Sequence, residues 1–80
     1  MECAKLYIKP SGGNRDLLDS RLLHFRAFVR KVREPDGSYE VRCIEETIKT
    51  ANARAELVGD LVKRQGYGEV VRIEPAVRRA

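Results

Sequence analysis

Eighty residues make one domain, read here as a single α/β unit over 1–80, with room for one small core. Hydrophobic residues are 42% of the chain and charged residues 35%, a balance that excludes a disordered segment, and no apolar run reaches the ~20 residues of a membrane helix. The sixteen basic residues exceed the twelve acidic ones by four, but most are interleaved with acids, which argues for a mixed solvated surface over a dedicated nucleic-acid stripe.

The first residues, MECAKLYIKP, carry an acid at position 2 and lack the apolar core of a secretory signal, so a cytoplasmic protein without membrane attachment is expected. Cys3 and Cys43 form no C-x-x-C pair, so their spacing reads neither as a redox dithiol nor as a zinc knuckle. They are expected as reduced thiols, packed as small hydrophobes in or beside strands.

In chain order, residues 3–9 alternate, with Ala4, Leu6 and Ile8 on one side and Lys5, Tyr7 and Lys9 on the other, a strand signal closed by Pro10. In residues 14–33, Leu18, Leu22, Phe25, Val29 and Val32 recur at steps of four and three, which predicts a helix. A competing reading makes LHFRAFVRKV a strand running into a hairpin at PDGS, on the alternation of Leu23, Phe25, Ala27 and Val29; it leaves Leu17 and Leu18 unexplained, and the helix is preferred. EPDGS is a turn. YEVRCIE is a second strand with Tyr39, Val41 and Cys43 on one side. Residues 47–65 form a second helix, with Ile48, Ala51, Ala55, Val58 and Val62 as its stripe, Thr47 or Thr50 as its cap and Gly66 as its stop. Gly59 inside it suggests close packing. GEVVRIEP is a third strand ended by Pro75. A weak internal echo at a shift of 33 residues sets Phe28 on Leu61 and Val29 on Val62, and it supports helix for both spans. The fold expected is therefore a small two-layer or three-layer β-α-β-α-β domain with a mainly parallel sheet.

The corner after the first strand is the first candidate site. Ser11, Gly12 and Gly13 in a strand-to-helix turn could present backbone N–H groups to an anion, with Lys9, Asn14 and Arg15 nearby. KPSGGNR is neither a Walker A loop nor a G-x-G-x-x-G fingerprint, so a plain turn competes with that reading. A thioredoxin-type fold would place its reactive cysteine at such a corner, and this one has none, so dithiol chemistry is not expected. His24 has no readable orienting partner for base catalysis and reads as a surface residue. Glu45-Glu46 reads as a solvated or capping pair more readily than as a metal site. Arg21 and Arg54 read as stems snorkelling over the core edge.

KLYI followed by a loop, a helix and YEVRCIEE resembles the opening of KaiB-like proteins, and VVRIEPAVRR resembles their strand leading into proline and paired arginines. The resemblance implies a thioredoxin-like fold without redox cysteines that acts by binding partner proteins. The Ala-Thr-Pro that precedes the third strand in that family is replaced here by GYGEVV. RNA-recognition domains have a similar length and opening, but YEVRCIEE offers one aromatic and two acids where they carry an aromatic-rich third strand. Peptidoglycan-binding SPOR domains resemble this chain at NARAE…L, GYG and VVRIEP, and need one more strand than the expected fold provides. The function expected is a non-enzymatic protein-binding or regulatory module, with self-association or a protein partner and no cofactor or metal. The alternative is a nucleic-acid or anion binder. The candidate binding residues are Lys9, Ser11, Gly12, Gly13, Arg15, Arg72, Arg78 and Arg79.

Overall fold

The computed structural model describes residues 1–11, 20–24, 27–33 and 38–78. Four strands and one long helix follow in the order β1 (Glu2–Pro10), β2 (Ala27–Arg33), β3 (Tyr39–Glu45), α1 (Ile48–Gln65) and β4 (Gly68–Glu74). They form one sheet of order β2-β3-β1-β4, and every pair is antiparallel. The parallel, thioredoxin-like β-α-β-α-β architecture expected from the sequence is thereby overturned. β3 and β4 flank β1, and both run against it, so α1 is the crossover of a split β-α-β unit.

The correction turns on residues 14–33. Among the described residues of that span only 20–23 are helical, and Ala27–Arg33 is a strand whose ladder sets Ala27 on Cys43, Val29 on Val41 and Arg30 on Glu40. The competing reading, a strand over 23–32, overlaps the observed strand from Ala27 onward; residues 12–19 and 34–37 lie outside the described residues. Physically, AFVRKVR is rich in β-branched and aromatic side chains, and over seven residues a step of three or four fits an alternating pattern nearly as well as a helical one. The unpaired edge of β3 decides between them, because a strand there satisfies a whole row of backbone groups. The 33-residue echo therefore aligns a strand with a helix and carries no structural meaning.

β1 and β3 follow their alternation. Ala4, Leu6 and Ile8 are fully buried on one face, in register with Cys43, Val41 and Tyr39. α1 lays Ala51, Ala55, Val58 and Val62 on that face, and Leu22 joins the same cluster. Burial pushes the Cys43 thiol up to about 12, reinforced by the nearby Cys3. Thr47 caps α1 through a reciprocal box: its hydroxyl accepts from Thr50 N–H at 3.1 Å, and the Thr50 hydroxyl accepts from Thr47 N–H at 3.3 Å. Gly66, at φ 67°, closes the other end, with its own N–H on the Lys63 carbonyl and that of Tyr67 on the Val62 carbonyl, a Schellman motif.

Two glycines lie where β4 and α1 approach β1, and only one of them is required there. A Cβ on Gly68 would lie 2.5 Å from the Lys9 carbonyl oxygen, so the β1–β4 seam admits no side chain there. A Cβ on Gly59 would meet Leu6 Cδ2 at 3.4 Å, an ordinary contact, so helix packing does not require glycine at that position. The chain leaves β4 at Pro75, and Asn52 then holds the backbone of Ala76 on both sides. Asn52 Oδ1 accepts from Ala76 N–H at 2.7 Å, and Asn52 Nδ2 donates to the Ala76 carbonyl at 3.2 Å. No described helix is long and apolar enough to cross a membrane.

Candidate functional site

α1 and Leu22 occupy one face of the sheet; no described element packs on the other. The alternation that buries Ala4, Leu6 and Ile8 turns Cys3, Lys5, Tyr7 and Lys9 to this open face, and β3 adds Glu40 and Arg42. β4 adds Arg72 and Glu74, opposite Tyr7 and Lys5. A bulge at Val71, where the register slips between Tyr7 and Ile8, brings Arg72 to this side while Val70 stays against the helix.

The face carries two ionic clusters. In the first, Glu40 is buried, and its Oε1 accepts from Arg42 Nε at 2.9 Å and lies 3.6 Å from Lys5 Nζ. The hydrogen bond to Glu40 also pushes the Arg42 guanidinium above its ordinary value, holding it charged. In the second, the Arg72 guanidinium lies 3.9 Å from the Tyr7 ring centroid, and its Nε is 3.6 Å from Glu74 Oε1. Glu74 Oε2 accepts from the Tyr7 hydroxyl at 3.5 Å. The Arg72 and Glu74 side chains are 55% and 50% exposed, whereas that of Glu40 is 9% exposed. An exposed ion pair contributes about 0–1 kcal/mol, and an exposed cation–π contact about 0.5–1 kcal/mol. The first cluster is built on a buried carboxylate, and the second stands at the surface. Tyr7 is only 6% exposed even though it sits at the middle of a central strand on the open face.

The sequence-derived site residues that are described do not converge. Lys9 and Ser11 lie at one end of β1, and Arg78 follows Pro75 toward the other, with most of a nine-residue strand at ~3.3 Å per residue between them. Gly12, Gly13, Arg15 and Arg79 lie outside the described residues. Ser11 N–H donates to the Tyr67 carbonyl at 3.0 Å, so this amide extends the β1–β4 ladder and is already engaged. Arg72 alone of the candidates stands at the centre of the open face. Arg54 donates from Nε to Glu45 at 3.2 Å, and His24 is exposed. No group of three or more His, Cys, Asp or Glu suited to a metal occurs among the described residues.

Lys5, Tyr7, Glu40, Arg42 and Glu74 were missed as a set. Their signal was present in the alternation itself, because Lys5, Tyr7 and Lys9 on β1 and Glu40 and Arg42 on β3 fall at every second position. Only the antiparallel register shows that those residues are neighbours. Comparison with family models, with curated proteins and with solved structures finds no match for this chain.

Proposed function

We propose that this chain is a non-enzymatic binding module that docks a protein partner on the open face of its sheet. One observation carries the reading: no described element packs on the face, and Lys5, Arg42 and Arg72 each already stand within 3.6 Å of a carboxylate. A phosphate backbone draws its affinity from cations it can neutralise, and here it would have to displace Glu40 and Glu74 to reach them. A protein surface can meet such a mixed face group by group, with Tyr and Arg as the residue types that most often anchor interfaces. No nucleophile–base pair among the described residues supports an enzymatic reading.

The test is capture from the native host with two variants compared. Lys5→Gln/Glu40→Gln/Arg42→Gln strips the face of a balanced charge set; Lys49→Gln/Lys63→Gln alters the exposed side of α1. The proposal expects a partner held by the parent chain and the second variant, and lost by the first after folding is checked by circular dichroism. A partner that both variants retain, or that nuclease treatment removes, sinks it.

A second reading rests on β2. The resemblance to peptidoglycan-binding SPOR domains wanted one further strand, and the sheet has it. On that reading the same face takes a glycan, and co-sedimentation of the chain with isolated sacculi, lost in the triple variant, is the expected result.

A further inference from the structure

β4 is an edge of the sheet, and the outer row of its backbone N–H and C=O groups meets no described strand. Such a row is a template for one more strand. The bulge at Val71 divides this edge into Gly68–Val70 and Arg72–Glu74, each in regular register with β1. Beyond Glu74 the chain leaves the sheet, because Asn52 holds Ala76 against α1, where it joins the core cluster. Val71 and Ile73 are each 41% exposed, so the edge is apolar as well as unpaired. Ile73 stands opposite Leu6 on the helix side, with its Cδ1 3.9 Å from the place a Gly59 Cβ would take. One flank of Ile73 is therefore closed by α1, and the other is open at the edge.

We propose that a second copy of this chain occupies the edge, its β4 pairing antiparallel with this one about a two-fold axis beside Ile73. A strand paired with its own antiparallel copy meets itself at the axis, and residues equidistant from the axis stand opposite one another on one face. An axis at the middle of Gly68–Val70 sets Glu69 on the partner's Glu69, which repels. In the run after the bulge, an axis beside Arg72 or Glu74 likewise stacks like charges. An axis beside Ile73 sets Arg72 opposite the partner's Glu74, twice by symmetry, and lays the open flank of Ile73 on the partner's Ile73. Arg72 keeps its contacts with Tyr7 and Glu74 in this arrangement; a second carboxylate is added across the seam, and the guanidinium need not be free. The pairing uses up both β4 edges and closes as a dimer. It goes beyond the docking reading, because it uses an edge and leaves the open face of both copies uncovered.

Sedimentation equilibrium of the intact chain should show monomer and dimer with a dissociation constant below about 1 mM, the weak end expected of so short a seam. Arg72→Glu and Glu74→Arg should each weaken the dimer about tenfold, since each sets like charges across the axis. An equimolar mixture of the two should recover it, because every acid then faces an arginine. Both variants stay net positive, at +2 and +6 against the parent's +4, so overall charge does not drive the mixing. The double variant Arg72→Glu/Glu74→Arg keeps all the cross-seam pairs and should dimerise within about threefold of the parent; it carries the test where circular dichroism shows a single variant unfolded. A parent chain that is monomeric at about 1 mM overturns the proposal. So do growth past the dimer, a dimer indifferent to both single substitutions, and failure of the double variant to associate.

Discussion

The two faces of the sheet are made by the same strands, one residue out of step. On the covered face Ala4, Leu6, Ile8, Val41 and Cys43 are completely buried beneath α1. On the other, Lys5, Tyr7, Glu40 and Arg42 alternate with them, and no described element packs over that face. One face is held by packing, in which every atom is fixed by its neighbours. The other is held by charge pairs, whose strength depends on how much water reaches them. The difference teaches that stability and recognition are separated here by a single step along the backbone, and each face can be perturbed without rewriting the other.

The two cysteines give the sharpest contrast, since Cys43 is on the covered face and Cys3 on the open one. At pH 8 a thiol reagent should modify Cys3 readily, while Cys43, buried and holding its proton up to about 12, reacts roughly a thousandfold more slowly and only through unfolding. Equal rates read by mass spectrometry would dissolve the distinction. The same shift sets a pH window. The folded chain keeps the Cys43 proton while an unfolded one loses it above the ordinary value of 9.0, so stability holds below that value and falls as pH climbs toward 12.

Leu6→Ala empties the centre of the covered face and should cost about 2–5 kcal/mol in urea unfolding. A loss under 1 kcal/mol would mean that the helix does not press there. Gly68→Ala strikes the seam shared by both faces. With a Cβ 2.5 Å from the Lys9 carbonyl, it should cost about 1–3 kcal/mol or part β4 from β1, visible as lost amide protection at Lys9 and Ser11. Glu40→Gln on the open face should cost about 1–2 kcal/mol, because a charge-assisted bond becomes a neutral one; an effect as large as that of Leu6→Ala would erase the proposed division of labour. Gly59→Ala, on the helix that makes the covered face, should stabilise by up to about 1 kcal/mol, and a clear loss would show that α1 sits closer to Leu6 than 3.4 Å.

Much of this was legible residue by residue. The alternation of β1 and β3, the Thr47 cap, the stripe of α1 and the Gly66 stop all stand where the pattern put them, because each is fixed by neighbours within a few positions. At the corner after β1 the Ser11 amide is taken by Tyr67, a residue 56 positions away that no local pattern could name. The open face was half legible: its residues could be listed from the period of two, but not which of them touch.

The amino-acid sequence determined the local conformations whose signals are short-ranged: strand at Glu2–Pro10, helix at Ile48–Gln65, strand at Gly68–Glu74. Tertiary structure decided what happens at Ala27–Arg33, where two periods fit equally well and the free edge of β3 selected strand. That choice made the sheet antiparallel throughout. Tertiary structure also fixed the Tyr7, Arg72 and Glu74 contacts, through the β1–β4 register, because cross-strand neighbours are set by long-range pairing and not by their spacing along the chain.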